Sequence, residues 1–132
     1  MRTEHADVAV VGGGPAGLAA ASSAREAGAE RVLLIERGDQ LGGILNQCIH
    51  DGFGTKMLGE ALTGPEYAQV FIDRLIQAGV SFELNTMVLD LTPDRELTVC
   101  SADGIRRVKA RSVVLCTGCR ERTRGAIRTP GT

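Results

Sequence analysis

Short apolar runs mark the first part of the chain, and the first of them stops at glycines. Residues 7–11 and 31–35 are such runs, typical of strands buried on both faces of a parallel sheet. Between them, residues 15–27 are rich in alanine and are followed by Gly28, which predicts a helix with a C-terminal glycine. The three segments together predict a strand–helix–strand unit with a right-handed crossover.

A second helix is predicted after an irregular, glycine-rich stretch at residues 37–62. Thr63 and Glu66 have the spacing of a capping box, Pro65 suits the first turn, and Gly79 ends the pattern. Residues 80–84 then read as a third strand. The apolar positions of this helix are expected to share one face: Tyr67, Val70, Phe71, Leu75 and Ala78.

The apolar period changes in the last third of the chain. Residues 86–91, 96–101 and 105–109 alternate partially and are separated by the turn signals Pro93-Asp94 and Asp103-Gly104. This pattern predicts an antiparallel meander, and residues 112–116 return to a buried-strand pattern. The fold class is therefore predicted to be α/β: a Rossmann-like parallel sheet with flanking helices and an antiparallel β-meander on the other face.

Composition narrows the functional classes. The chain has 132 residues and a net charge of −1, which favours one domain without attraction to nucleic acid or anionic membrane. There is no Trp, one Tyr and three Phe, too few aromatic residues for a stacking surface for single strands. No apolar run reaches the roughly 20 residues that span a bilayer. Because the N-terminus leads straight into a strand, no signal peptide is expected, and the location is predicted to be cytoplasmic. The four cysteines are then expected to be free, catalytic or buried rather than in structural disulfides.

The central motif is G-x-G-x-x-G, formed by Gly12, Gly14 and Gly17 between the first strand and the first helix. Gly12 permits the tight turn, Gly14 lets a pyrophosphate approach the backbone, and Gly17 lets the helix lie close to the strand. The acidic residue Glu36 follows the second strand, 19 positions after Gly17. Its carboxylate can accept the hydroxyls of an adenosine ribose and would repel a 2′-phosphate. An α/β domain with a glycine-rich turn and no ligand is the alternative, and the motif itself fits FAD or NAD.

The order of segments resembles the FAD domain of the pyridine nucleotide-disulfide oxidoreductase superfamily. A plain NAD-binding domain would continue with alternating helices and strands, whereas this chain inserts a meander. The resemblance covers nearly the whole chain. It is carried by residues 10–17, Glu36-Arg37, Gly42-Gly43, residues 86–88 and residues 114–118.

The resemblance implies a set of FAD-binding residues. Glu36 would bind the adenosine ribose, with Arg37 near the adenosine, and the backbone at Val88 would meet the adenine edge. The Gly-Gly loop would run past the pyrophosphate and flavin, and the Thr117-Gly118 turn would pass near the cofactor. The full set expected to contact FAD is Gly12, Gly14, Pro15, Ala16, Gly17, Glu36, Arg37, Gly43, Ile44, Val88, Cys116, Thr117 and Gly118.

The segment at residues 42–54 is similar to the FAD domains of amine- and opine-oxidising multi-subunit enzymes. Disulfide reductases carry a C-x-x-x-x-C pair after the Gly-Gly, but only Cys48 stands here, so dithiol–disulfide exchange is not expected. Hydride transfer between NAD(P)H and another substrate or acceptor is expected instead. Cys48 could be a reactive thiol and His50 a proton donor near the flavin. The favoured alternative is that Cys48 packs as a small apolar group and His50 hydrogen-bonds within its loop.

Two further patterns have competing interpretations. Cys116 and Cys119 have C-x-x-C spacing, which could indicate zinc or a redox dithiol. Zinc would need two more ligands, and Cys116 lies on a predicted strand inside the cofactor motif, so neither a metal site nor a redox function is expected. The basic tail could contact an anion, although a solvated connector is favoured; its arginines are Arg120, Arg122, Arg124 and Arg128.

The resemblance also implies an incomplete enzyme. Residues 1–118 would form the N-terminal part of the FAD domain, and residues 119–132 a connector toward a nicotinamide-binding domain. The second G-x-G-x-x-G and the Gly-Asp motif of the family are lacking, so the chain is expected to be an inactive fragment that binds FAD weakly. Its expected partners are FAD and the missing C-terminal half or another subunit. The rival functions are an NAD-binding domain of a dehydrogenase and a non-catalytic nucleotide-binding module.

Overall fold

The structure is a computed structural model that describes residues 1–119 and 124–128. A mixed sheet of six strands lies against two long helices in the described part of the chain. The strands are β1 (Thr3–Val11), β2 (Val32–Ile35), β3 (Ser81–Glu83), β4 (Met87–Leu91), β5 (Glu96–Ser101) and β6 (Gly104–Leu115). The helices are α1 (Pro15–Glu26), α2 (Gly64–Ala78), the four-residue α3 (Arg124–Ile127), and a 3-10 helix at Gly43–Gln47.

Four strands form the parallel part of the sheet. In the strand order β3-β2-β1-β6-β5-β4, β1 pairs in parallel with β2 and β6, and β2 pairs in parallel with β3. This arrangement confirms the predicted α/β class. Strand β1 begins at Thr3, four residues before the predicted start, because its first residues pair with β6 from Arg107 onward. The sequence does not indicate this extension, because Glu4 and His5 are polar and give no strand-like apolar pattern.

The antiparallel meander is present, but its boundaries differ from those predicted. β4 pairs with β5 and β5 with β6, all antiparallel. The segments predicted separately at residues 105–109 and 112–116 form one strand, β6, of 12 residues. The physical reason is a change of neighbouring strands along β6: residues 104–109 pair with β5, and residues from 107 to 115 pair with β1. The apolar pattern therefore changes along β6 because its neighbouring strands change, although the strand itself is continuous.

Two apolar clusters occupy the two faces of the sheet. On the helix face, α1 and α2 pack with alternate residues of β1 and β2, including Val10 and Leu34. On the other face, meander residues such as Leu97 and Val108 pack against Ala9 of β1, as predicted. The prediction for Val70 was wrong. Val70 is 40% exposed, because it lies at the margin of the face by which α2 packs against the sheet.

The helix ends follow the predicted local chemistry. The Oγ1 of Thr63 accepts the N–H of Glu66 at 3.3 Å, and the Glu66 carboxylate accepts the N–H of Thr63 at 3.0 Å. Helix α2 then ends at Gly79. Among the described residues, none of the helices has the length and apolar character needed to cross a bilayer. In the basic tail, Arg120 and Arg122 lie outside the described residues, and Arg128 is exposed.

Candidate cofactor site

The glycine turn lies where β1 ends and α1 begins. Gly12 has φ +111° and donates its N–H to the carbonyl of Ile35 at 2.9 Å. A Cβ at Gly12 would lie 2.0 Å from the carbonyl oxygen of Cys116. A side chain here would therefore be both strained and sterically blocked. Gly12 is thus required for the turn from β1 into α1, because the end of the neighbouring strand β6 lies directly against it.

Gly17 and Gly14 have opposite surroundings. A Cβ at Gly17 would lie 1.7 Å from the carbonyl oxygen of Gly12, so α1 packs directly on the turn. A Cβ at Gly14 would meet only the Cα of Gly43, at 3.9 Å. The protein fills the space beside Gly12 and Gly17 but leaves the space beside Gly14 open. This is the division of roles expected if a phosphate group approaches the backbone at Gly14.

The N-terminus of α1 faces this opening without a side-chain cap. Gly14 is the N-cap residue, Pro15 occupies the first turn, and that turn contains no acidic residue. The first N–H groups of a helix lack intrahelical partners, and the helix dipole adds a partial positive charge there. Ala16 is exposed in the same turn. These features are those of a helix N-terminus that can accept a phosphate group.

The Glu36 carboxylate lies at the mouth of the glycine turn. Its Oε1 accepts the N–H of Gly13 at 2.9 Å, and its Oε2 accepts the N–H of Gly38 at 2.5 Å. Because β1 and β2 are parallel neighbours, Val11 and Ile35 are register partners and their following residues meet at one sheet edge. The two backbone donors hold the carboxylate in place. Each carboxylate oxygen can accept a further hydrogen bond from a sugar hydroxyl.

The start of the meander joins this edge. The N–H of Thr86 donates to the carbonyl of Glu36 at 3.0 Å, and the N–H of Asn85 to the carbonyl of Gly38 at 2.8 Å. Val88 follows on β4 and is half-buried. The structure therefore brings the region of Val88 beside Glu36. Arg37 is exposed at the same edge.

The Gly-Gly loop lies against the glycine turn. The N–H of Gly42 donates to the carbonyl of Gly13 at 2.8 Å, and a Cβ at Gly43 would lie 2.9 Å from the Cα of Gly14. The side-chain amide of Asn46 donates to the carbonyl of Leu41 at 2.8 Å and holds the loop. Ile44, at the start of the 3-10 helix, is 63% exposed. The loop thus borders the Gly14 opening on its far side.

The end of β6 lies beside the glycine turn and forms a third border of the candidate site. The N–H of Cys116 donates to the carbonyl of Val11 at 2.8 Å, and burial raises the pKa of the Cys116 thiol. Thr117 and Gly118 follow and are exposed, as is Cys119. All four cysteines are free. The described residues include no group of three or more His, Cys, Asp or Glu side chains arranged to hold a metal ion.

Cys48 and His50 lie in the loop after the 3-10 helix. The Cys48 thiol donates to the carbonyl of Ile44 at 3.4 Å, and its own carbonyl accepts the N–H of Gly64 at 2.8 Å. His50 is exposed, its Nδ1 lies 3.2 Å from the carbonyl of Asp51, and its ring stacks on Phe53 at 5.3 Å. These contacts are local to the loop and to the start of α2. Within the described residues, no recorded hydrogen bond joins either side chain to the glycine turn.

Fold and site together define a dinucleotide-binding α/β domain. Residues 7–53 match the family model described as FAD dependent oxidoreductase. Sarcosine oxidase subunit alpha from Corynebacterium sp. (strain U-96) is 34% identical over 128 residues, covering 89% of this chain and 13% of that protein. Among solved structures, L-proline dehydrogenase from P. horikoshii has a TM-score of 0.79 at 26% identity, covering 92% of this chain and 24% of that one. Thioredoxin reductase from Streptococcus pyogenes MGAS5005 has a TM-score of 0.71 at 27% identity, covering 90% and 37%.

These matches confirm the resemblance on which the sequence predictions depended. The chain is similar to the N-terminal domains of FAD/NAD(P)-dependent, pyridine nucleotide-disulfide oxidoreductase-like enzymes, and the matches support FAD as its cofactor. The chain spans between 10% and 35% of the length of the curated relatives it matches.

Two residues of the site were missed in the sequence. Gly13 and Gly38 supply the backbone donors that orient the Glu36 carboxylate. Gly13 occupies the variable position of the motif, where the residue type carries no signal. Gly38 could have been found from its place two residues after Glu36, where a glycine lets the chain turn back on the carboxylate.

Proposed function

We propose that this chain binds the ADP portion of FAD at the Gly14 opening. One arrangement supports the proposal: an uncapped helix N-terminus faces an open space beside Gly14, with the Glu36 carboxylate at its mouth. The site fits the cofactor because Gly14 has no Cβ, which leaves open the space that a diphosphate needs. The donors are N–H groups for the phosphates, and the acceptor is a carboxylate for the ribose.

Each bordering residue has a proposed role in holding the cofactor. The N–H groups of the first turn, from Ala16 and Gly17, bind the diphosphate, and Glu36 binds the adenosine ribose. Arg37 and the backbone of Val88 lie on the adenosine side, and Gly43 and Ile44 lie on the flavin side. The end of β6 completes the border with Cys116, Thr117 and Gly118.

The proposed activity of the whole protein is hydride transfer between NAD(P)H and an acceptor that is not identified. FAD supplies the redox chemistry when bound; the residues of this chain bind and orient it. The meander that packs on the face opposite the helices favours FAD over a plain NAD-binding domain, which would continue with alternating strands and helices. Cys48 and His50 are proposed as packing and loop-stabilising residues, since their contacts lie within their own loop and the start of α2.

The proposed division of the chain places the FAD-binding part at residues 1–118 and a connector at residues 119–132. Further polypeptide, from the same protein or from another subunit, would complete the flavin end of the site. The chain's short span relative to its curated relatives supports this part of the proposal. The cytoplasm remains the proposed compartment, since all four cysteines are thiols.

A competition experiment tests the cofactor assignment. The 132-residue chain is titrated with FAD, and then NAD is added to the complex while flavin fluorescence is followed. FAD is expected to bind through its ADP portion, and ADP is expected to displace it more effectively than ADP with a 2′-phosphate. Tighter binding of NAD than of FAD would instead support the dehydrogenase alternative. Anaerobic bleaching of the flavin band by NADH or NADPH, in the protein isolated from its own host, tests the hydride transfer.

A further inference from the structure

A second cleft opens away from the glycine turn, at the other end of the parallel strands. Its volume is about 490 Å³, and its charged lining includes Asp7, Arg31, Asp94, Arg95, Lys109 and Arg111. Asp7 stands five residues before Gly12 on β1, which separates the two regions by about 16 Å along the strand. The cleft therefore does not share its lining with the proposed FAD site.

The lining carries more positive than negative charge, although the whole chain has a net charge of −1. Four cations and two carboxylates border the cleft. The guanidinium of Arg31 pairs with Glu4 at 2.7 Å, and the Asp7 carboxylate accepts the N–H of Arg31 at 2.8 Å. No ion pair within the described residues engages the other three cations: Arg95, Lys109 and Arg111.

The backbone holds these three cations close together. Lys109 and Arg111 are two positions apart on β6, so their side chains leave the same face of the strand. The N–H of the intervening Ala110 donates to the carbonyl of Arg95 at 3.0 Å, which ties the β4–β5 turn to this point of β6. Ala6 and Ala110 are both buried and form part of the lining. The cations therefore surround a concave surface built on rigid strands.

We propose that this cleft binds a small polyanion that carries two or more phosphate or carboxylate groups. Its volume lies in the range of sites for small molecules, roughly 300–1,000 Å³. Unpaired guanidinium and ammonium groups form charge-assisted hydrogen bonds with both kinds of anion. The proposal is independent of FAD binding, because it uses different residues at a different end of the sheet.

The test is a titration followed at individual backbone amides. Inorganic pyrophosphate and citrate are added separately to the ¹⁵N-labelled 132-residue chain, and the signals of Ala6 and Ala110 report on the cleft. Signals of the glycine turn are read separately, because pyrophosphate can also bind there. Saturable shifts of Ala6 and Ala110 are expected with at least one of the two ions. The ion that binds more tightly identifies the anionic group that the cleft prefers.

Three variants test whether the cationic residues of the cleft bind the anion. Lys109→Gln and Arg95→Gly should each weaken the binding read at Ala6 and Ala110 at least tenfold, whereas Lys56→Gln, an exposed lysine outside the cleft, should leave it unchanged. Arg95 has φ +62°, so glycine relieves its backbone, and Arg95→Gly should keep its melting temperature. Absence of saturable shifts at Ala6 and Ala110, or equal weakening in Lys56→Gln, would overturn the proposal. Binding of a hexaglutamate peptide when both small ions fail would also overturn it, in favour of a protein partner.

Discussion

The substitution Gly14→Ala separates ligand binding from folding at the proposed cofactor site. The backbone at Gly14 has φ −78° and ψ −170°, which any residue adopts, and a methyl group there would meet only the Cα of Gly43 at 3.9 Å. Alanine is a poorer N-cap than glycine, so the expected loss of stability is at most about 1 kcal/mol. For a chain of 132 residues this corresponds to a fall in melting temperature of at most roughly 4 °C.

The effect on FAD should be larger than the effect on stability. The new methyl group would stand where the diphosphate is proposed to approach the N-terminus of α1. We expect FAD to bind at least tenfold more weakly, a loss of about 1.4 kcal/mol or more. The assay is titration of FAD by flavin fluorescence, combined with thermal unfolding of the same protein samples.

Two other glycine-to-alanine substitutions complete the experiment. Gly17→Ala would place a methyl group 1.7 Å from the carbonyl oxygen of Gly12, so it should destabilise the fold by at least about 2 kcal/mol. Gly125→Ala meets nothing within 4 Å and serves as the neutral control. If Gly14→Ala binds FAD with full affinity, whatever its melting temperature, the diphosphate does not bind beside Gly14.

Other predictions concern stability and thiol chemistry. Burial raises the pKa of Glu4, but hydrogen bonds from Arg106 and Arg31 outweigh it and lower that pKa, so Glu4→Gln should be destabilised at pH 7. The difference in unfolding free energy between wild type and Glu4→Gln should shrink as the pH falls through the lowered pKa of Glu4, where the carboxylate becomes protonated. Urea unfolding at neutral pH and at a series of acidic pH values measures this difference, and a constant difference would contradict the prediction. Iodoacetamide at pH 8 should label the exposed Cys119 before Cys116, because burial raises the pKa of the Cys116 thiol. Peptide mass spectrometry measures the order of labelling, and faster labelling of Cys116 would contradict the prediction. Thr63→Ala should lose the cap of α2 and about 1 kcal/mol of unfolding free energy, whereas Thr63→Ser should keep most of it.

The nucleotide site was predictable because its parts are local or follow from strand direction. Gly12, Gly14 and Gly17 belong to one turn, so their spacing alone fixes their roles. Glu36 reaches the same turn because β1 and β2 run parallel and end at one edge. The capping box of α2 was predictable for the same reason, since Thr63 and Glu66 are three residues apart.

Features that depend on distant partners were not predictable. The polar start of β1 is a strand because β6 lies beside it, and the sequence around Glu4 and His5 gives no sign of that neighbour. The continuous β6 was predicted as two strands, since its apolar pattern follows its changing neighbours. The donation from Gly13 to Glu36 joins residues 23 positions apart and involves only a backbone N–H of one partner. Such contacts place few constraints on residue type, so the sequence alone does not indicate them.

A crystal structure of the chain with FAD would test the proposed ADP site most directly. Diphosphate oxygens are expected within hydrogen-bond distance of the N–H groups at Ala16 and Gly17. The hydroxyls of the adenosine ribose are expected on the Glu36 carboxylate. An ordered FAD bound elsewhere, with the space beside Gly14 left to solvent or filled by a side chain, would contradict the proposed site.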